Sequence, residues 1–449
     1  MNNTPVIKIN NVLIPVLAVL CGLGLVYVCA LWDNPTSHVV GLFVAILLSV
    51  AIVVNTEAAL WILVILRSSA GPIMEATMVF PGAWSINISG ILNWLTIFGV
   101  VYCLITKRIN LFRLPASKPY LLFIIICIIS VFFAPDRTTV LRYCVRFASY
   151  FMVYVLAAAV LKSKKQIRNL IHIIFLSAIV PLLLGFYQMF MGTGYLQTGG
   201  FNRIYSTFGH PVPYGFYLMI ILPFALVLFF WDSKFKPTKY MWGAICLALG
   251  VSLIQTFTRG AIIGLVIAAI VIGLRYKRVL ILLPLILLVA VILFPDILHR
   301  FSDVSGPVGE EASSVAWRIN LWRKAFPMIR SNLLLGNGLG SFLSHTSVKI
   351  LGAPAGAHNV YLRLAMETGL IGLAAYLWVI FALGKEAVKT YFSVSDTYVK
   401  SLNLAFISVL AAYVVASVGD NMLEYVPVQW YLWLFAAIPG VGRKLEYGG

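Results

Sequence analysis

The chain has 449 residues, 61% of them apolar and only 11% charged, with 33 basic against 15 acidic side chains and a formal net charge of +18. A typical soluble chain carries about 25% charged residues, so a water-soluble fold of this size could not cover its surface. Soluble enzymes, disulfide-stapled secreted domains and disordered chains are excluded. The basic excess points to basic loops beside a membrane, with no nucleic-acid partner.

Apolar runs occupy 12–31, 38–55, 58–66, 86–106, 119–134, 145–161, 167–190, 214–231, 240–257, 260–274, 279–295, 366–384, 401–418 and 427–440. About 20 residues cross a bilayer as helix. Backbone groups in lipid must bond within their own segment, so these runs are helical whatever their β-branched content. The expected fold is an all-α polytopic membrane protein with roughly 12–14 transmembrane helices. The first run is long for a cleavable signal and is expected to stay as a span. The run 58–66 is too short to cross alone, so it is either half of a broken pair with its predecessor or re-entrant. Cys21, Cys29, Cys103, Cys127, Cys144 and Cys246 are scattered and form no C-x-x-C pair. They read as small buried apolar residues.

Loop charge alternates along the chain. Lys107, Arg108, Arg113 and Lys118, then Lys162, Lys164, Lys165 and Arg168, fall on one side. Lys234, Lys236 and Lys239, then Arg275, Lys277 and Arg278, then Lys385, Lys389 and Lys400 continue that side, with Lys8, Arg443 and Lys444 near the ends. The positive-inside rule makes this side cytoplasmic and places both termini there. The loops 191–213 and 296–358 then face outward, and the second is too long for a mere connector.

The cations also sort by type. The inner set holds 14 Lys and 6 Arg, whereas the remaining 13 are 11 Arg and 2 Lys: Arg67, Arg137, Arg142, Arg146, Arg203, Arg259, Arg300, Arg318, Arg323, Lys324, Arg330, Lys349 and Arg363. Arginine makes forked contacts with phosphate or carboxylate. An outward surface rich in Arg therefore suggests an anionic partner. The structural alternative is headgroup contact, or ion pairs with Asp303, Glu310, Glu311 and Glu367.

Four motifs could carry chemistry. In Gly199-Gly200-Phe201-Asn202-Arg203-Ile204-Tyr205-Ser206-Thr207-Phe208-Gly209-His210-Pro211, an Arg, a His and several hydroxyls suit a diphosphate and a sugar; otherwise His210 is a helix-start hydrogen-bonder. In Phe257-Thr258-Arg259-Gly260-Ala261, an arginine enters a span start at a cost of about 2.5–3.5 kcal/mol if it reaches the membrane centre. It is either a phosphate clamp or a snorkelling interfacial side chain. Leu335-Gly336-Asn337-Gly338-Leu339-Gly340-Ser341-Phe342 lacks the strand a dinucleotide loop requires. It reads as a tight turn after the amphipathic stretch Trp317–Ile329. Finally, a Gly/Pro/Ala stretch from Gly352 delivers His358-Asn359-Val360-Tyr361 to a helix start, with Arg363 and Glu367 following. His358 can accept a proton near neutral pH, or it is a helix-terminus histidine satisfied by backbone. Spacing alone leaves Glu367 unassigned. Acids are few and no Cys/His cluster occurs, so arginines rather than a metal ion would carry diphosphate charge. No metal and no cofactor is expected.

These motifs, in this order, resemble the O-antigen ligase/polymerase superfamily: Arg259-Gly260-Ala261 at a span start, Trp317-Arg318 and Trp322-Arg323 in an amphipathic outer segment, the Leu335–Phe342 turn, then His358-Asn359-x-Tyr361 with Glu367-x-Gly369-Leu370. The segment Thr207–Pro211 resembles the region before that core in exopolysaccharide polymerase-like members. The resemblance implies a GT-C-like helical fold in three parts. These are an N-terminal transmembrane bundle, 1–250, a ligase-like core, 251–385, containing the extracytoplasmic loop 296–358, and C-terminal helices, 386–449. It implies a glycosyltransferase at the outer, periplasmic face of the bacterial cytoplasmic membrane; the scarcity of acids makes it metal-independent in expectation, and a single displacement would make it inverting. The implied donor is a glycan on undecaprenyl diphosphate. The acceptor is a lipid-linked glycan for a polymerase, the favoured form, or lipid A-core for a ligase. Membrane lipids and envelope-assembly proteins are further partners. His358 and Arg259 carry over as catalytic residues. Arg203 carries over as a donor-binding residue, and Arg318, His210, Asn359 and Tyr361, from the motifs themselves, are expected to bind the donor with it. A transporter of a lipid-linked sugar is a more remote alternative, and would be expected to show internal repeats.

Overall fold

The structure, a computed structural model, describes residues 46–71, 77–80, 84–196, 202–231, 236–302, 315–345 and 356–447. The expected span 12–31, the first half of 38–55 and Cys21 and Cys29 lie outside these residues. So do Lys8, Lys234, Asp303, Glu310, Glu311, Lys349, Gly199–Phe201 and Gly352–Ala355.

Apolar composition makes the segments helical, and short polar side chains decide where they start. Helix α1 (46–54) and α2 (Thr56–Ser69) are separated by Asn55, whose side chain accepts from the Ala58 amide at 3.0 Å. The run 58–66 is thus the second half of a broken pair. A hairpin of β1 (Thr77–Phe80) and β2 (Trp84–Asn87) leads into α3 (Ile88–Ile105) and α4 (Ser117–Ile129). Helix α5 (Arg137–Val160) is capped by Asp136, which accepts from the Thr138 amide at 2.9 Å. Helix α6 (Lys164–Ser177) is capped by Ser163 and continues, after a break at Ala178, as α7 (Ile179–Met191). A two-residue hairpin, β3 (Tyr195–Leu196) with β4 (Asn202–Arg203), precedes α8 (Pro211–Trp231) and α9 (Lys236–Gln255).

Helices α10 (Arg259–Arg275) and α11 (Lys277–Leu293) form a pair of 17 residues each. The segment expected as a long loop holds α12 (Asp296–Ser302), α13 (Val315–Ser331) and α14 (Ser341–His345). Then come α15 (Val360–Glu367), α16 (Gly369–Ser393), α17 (Thr397–Gly419) and α18 (Val426–Tyr447). Among the described residues, six helical segments are long and apolar enough to cross a membrane: α5, the α6–α7 pair, α8, most of α9, α16 and α17. With α3 and α4 as shorter apolar helices, the chain is an all-α polytopic membrane protein.

The centre of the bundle is aromatic. Phe224 of α8 stacks on Phe435 of α18, and Tyr120 of α4 stacks on Phe151 of α5 with Trp433 edge-on. The outer faces expose Ile281, Leu285, Leu288 and Ile292 of α11 and Phe381 and Phe392 of α16. Such surface suits lipid rather than water. Cys103, Cys127 and Cys144 are buried free thiols and Cys246 is half-buried, as expected of apolar fillers.

Helix directions set up two chemically different ends. Gly264, near the start of α10, packs against Met219 and the Ala412 carbonyl in the last third of α17. The start of α10 therefore lies beside the end of α17. The starts of α16 and α18 reach the same end through Glu367 and Glu424. Their far ends, with Lys389, Arg443 and Lys444, lie at the other.

Candidate active site

Arg203 and Arg259 come together because β4 docks on the α9–α10 connection. The Ile204 amide donates to the Gln255 carbonyl at 3.2 Å. Arg203, only 3% exposed, donates from Nε to the Thr256 carbonyl at 2.8 Å and from Nη2 to Thr258 Oγ1 at 3.3 Å. Thr258 immediately precedes Arg259, the first residue of α10 and half-buried. The start of α8 completes this corner. Thr258 Oγ1 also lies 3.3 Å from the Pro211 carbonyl, and the Phe216 ring is so near Gly260 that a Cβ there would come within 3.1 Å of it.

From Phe216 the contacts run to His358. Phe216 stacks on Tyr425, and Tyr425 Oη donates to Asp420 Oδ1 at 2.6 Å. The same oxygen accepts from the Asn421 amide at 2.8 Å and lies 3.9 Å from His358 Nδ1. Burial works against ionisation of Asp420. The His358 and Tyr425 contacts and the Arg318 charge outweigh it and hold the carboxyl below its ordinary value. Arg318 sits alongside, its Nη1 donating to the Gly419 carbonyl at 2.8 Å. His210 lies within electrostatic reach of Arg203, Asp420 and His358. Burial first, then the Arg203 charge, pushes its imidazole below the usual range. Its Nδ1 accepts from the Val212 amide at 3.2 Å and its ring meets Tyr195 edge-on.

Asn359 and Tyr361 sit in the same neighbourhood with structural bonds of their own. Asn359 caps α15 by accepting from the Leu362 amide at 3.0 Å, and Tyr361 donates to the Val414 carbonyl at 2.8 Å. The remaining arginines at this end divide by partner. Arg146 and Arg363 both pair with Glu424, and Arg363 Nε also pairs with Glu367 Oε2 at 2.9 Å. Glu367 is fully buried and additionally accepts from the Phe342 amide at 3.3 Å, which makes it structural. Arg67 donates to Ser89 at 3.0 Å and lies over the Trp430 ring at 4.9 Å.

The glycine-rich turn acts as a clamp. Asn337 and Gly338 donate backbone bonds to Met366 and Glu367 at 2.9 Å, and Leu370 donates to Leu333 at 2.9 Å. It therefore fixes the break between α15 and α16. Among the described residues no group of three or more His, Cys, Asp or Glu is placed to hold a metal ion.

Sequence reasoning gathered Arg203, His210, Arg259, Arg318 and His358 as candidates, and the structure brings them to one end. It missed Asp420, Tyr425 and Glu424. The available signal was an Asp-Asn pair and a Glu closing an apolar span in a chain with so few acids.

Residues 244–377 match the family model described as O-Antigen ligase, which supports the O-antigen ligase/polymerase superfamily. The matched stretch contains Arg259, Arg318, His358, Asn359 and Tyr361, while Arg203 and His210 precede it and Asp420 follows it. No curated protein matches the chain at a significant level.

Proposed function

We propose that this O-antigen ligase-type membrane protein moves a glycan from undecaprenyl diphosphate to an acceptor hydroxyl at the outer face of the cytoplasmic membrane, as a polysaccharide polymerase. The observation that carries the reading is the meeting of Arg203 and Arg259 through Thr258 with His358 at 3.9 Å from Asp420. In this mechanism the acceptor oxygen attacks the anomeric carbon and gives its proton to His358. The bond from that carbon to the diphosphate oxygen breaks, and the departing diphosphate keeps the electron pair. Its growing charge meets Arg259 and Arg203, preorganised cations of the kind worth several kcal/mol in a water-poor site. A single displacement inverts the anomeric centre. Asp420 lies beside the imidazole and offers a carboxylate to the positive charge that forms as the proton arrives, while Arg318 holds the chain beside Asp420. All three proposed parts of the chain contribute: Arg203 from 1–250, Arg259 and His358 from 251–385, and Asp420 from 386–449.

The Thr207–Pro211 segment, which seats His210 in this corner, supports a polymerase. The test is transfer by purified protein from an undecaprenyl-diphosphate oligosaccharide in detergent, where no second compartment exists. A ladder of repeat units is expected, with loss of turnover in His358→Ala and no effect of a chelator. One preformed chain attached to a lipid A-core acceptor would instead indicate a ligase. Near-normal turnover in folded His358→Ala would remove the base assignment, and loss on chelation with rescue by Mg²⁺ would remove metal independence.

A further inference from the structure

The opposite end of the bundle contains a cavity of about 1640 Å³ that plays no part in the proposed chemistry. The connection after α3 contributes Lys107, Arg108 and Arg113 to its wall, and Lys162 follows from the end of α5. Lys389 of α16 and Arg443 and Lys444 of α18 close the opposite wall. Among the described residues lining it a single acid, Glu386, faces these seven cations and is held by Arg443 Nη2 at 3.0 Å. Between the charges the lining is apolar, and Leu104 and Phe112 are exposed at the rim. Tyr154, Ala158 and Ala437 from the bodies of α5 and α18 complete the lining.

We propose that this cavity is a binding site for an acidic phospholipid, its phosphodiester held by the lysine and arginine side chains and its acyl chains lying against Leu104, Phe112 and the neighbouring apolar surface. Three observations converge on that occupant. The charge imbalance calls for an anion. The volume exceeds what a small inorganic anion fills. The mixture of cations with exposed Leu and Phe at a helix-bundle end matches a headgroup joined to hydrocarbon rather than a hydrophilic solute. Basic pockets between transmembrane helices are a recurring way of recognising acidic headgroups. Apart from Arg113, which lies in the connection before α4, the cations sit at or near the C-terminal ends of α3, α5, α16 and α18, whose partial negative charge helps to hold them in place. A bound lipid would tie these four helix ends together, and through α5, α16 and α18 it would brace elements that reach the candidate active site.

The experiment uses the full-length protein stripped of lipid in neutral detergent, titrated separately with phosphatidylglycerol, phosphatidylcholine and inorganic phosphate. Native mass spectrometry reads occupancy, and a photoreactive acyl chain on the phosphatidylglycerol reports position. Selective phosphatidylglycerol binding is expected, with label on residues 104–115 and 441–447. The triple variant Lys107→Gln, Arg113→Gln and Lys389→Gln avoids the Arg443–Glu386 pair. It should bind phosphatidylglycerol on the order of a hundredfold more weakly, each surface cation being worth about fivefold. Its unfolding temperature without lipid should match the parent, which separates lost binding from lost fold. Equal occupancy by phosphatidylcholine overturns the headgroup assignment. Full competition by millimolar phosphate overturns the lipid in favour of a free anion. Label elsewhere, or unchanged affinity in the folded variant, overturns the site. None of these readouts depends on glycan transfer.

Discussion

Replacing Asp420 by Asn tests the site at the point that sequence reasoning missed. The substitution keeps shape but removes the carboxylate 3.9 Å from His358 Nδ1. Opposite charges about 4 Å apart attract by about 1 kcal/mol in bulk water and about 4 kcal/mol at an effective dielectric near 20. The Asp420 side chain is 8% exposed but that of His358 is 30% exposed, so water screens one side of the pair. An intermediate loss of about 2 kcal/mol in the transition state corresponds to a roughly 30-fold lower kcat. The assay is initial-rate transfer in detergent with donor concentration and pH varied. The expected result is a kcat loss of that order with donor KM within about twofold, because the carboxylate acts on the arriving proton and not on the ground-state diphosphate. Asp420→Glu should recover part of the rate. An unchanged kcat in folded Asp420→Asn refutes the dyad. A rate loss matched by a lowered unfolding temperature, with no recovery in Asp420→Glu, would make Asp420 a purely structural residue.

Arg259→Lys keeps the charge but loses the forked donor, and kcat should fall about 10²-fold with the fold intact, in line with removal of one preorganised donor; retention of rate would argue against a diphosphate contact there. Glu424→Gln leaves Arg146 and Arg363 without their shared carboxylate. Breaking a buried pair costs about 3–5 kcal/mol, and Glu424 is 25% exposed, so a loss of roughly 2–3 kcal/mol is expected in thermal unfolding after allowance for screening. Gly369→Ala places a Cβ 2.1 Å from the Leu334 carbonyl at a φ of +67°; it should destabilise by about 1–3 kcal/mol and speed proteolysis between α15 and α16. Folded His210 resists protonation, so its stability contribution is complete above its ordinary value of 6.5 and is lost as pH falls below it. His210→Gln should therefore flatten the decline of unfolding temperature between about pH 7 and pH 5; an identical decline in the two proteins would contradict this.

Much of the helical layout was legible because hydropathy integrates over a whole span. Its errors are local and have physical causes. Helix α5 begins at Arg137 rather than at 145, because Arg137, Arg142 and Arg146 depress the apolar signal. Asp136, a ready cap, marks the true start. The apolar run from 366 hides a break at Thr368, where Gly369 takes a left-handed φ and the Leu335–Phe342 turn hydrogen-bonds into the chain, a contact between segments distant in sequence. The arginines were legible as a class but not by role. The i,i+4 spacing offers Arg363 to Glu367, but nothing in the sequence tells that Arg363 also meets Glu424 across the bundle, whereas Arg203 meets the backbone and hydroxyl just before Arg259. Asp420 was invisible for the same reason, since its partner His358 belongs to another element.

Backbone conformation gives an independent reason to place the chemistry at this end. Among the described residues four non-glycine positions have positive φ: Lys107, Ser206, Phe257 and His358. Three of them belong to the motifs that carry Arg203, Arg259 and His358. Such conformations cost of order 1–3 kcal/mol each and persist only when their surroundings over-determine them. At Ser206 the restraint is Gln188, whose Oε1 accepts from the amides of Tyr205 and Ser206 at 3.0 and 2.7 Å, while Ser206 Oγ donates to the Pro181 carbonyl at 2.5 Å. At Phe257 it is the amide bond to Ile254 at 2.8 Å, with the Arg203 and Thr258 contacts on either side. At His358 it is Trp322, whose indole donates to the Ala357 carbonyl at 2.8 Å, together with the Asn359 cap. A loop whose only task was to join helices would relax into ordinary conformations at no loss. Three loops from distant parts of the sequence are instead each held in a strained state by dedicated bonds, and each aims a cation or an imidazole at the same end of the bundle. That common restraint is what a preorganised site requires and what headgroup-facing arginines would not need.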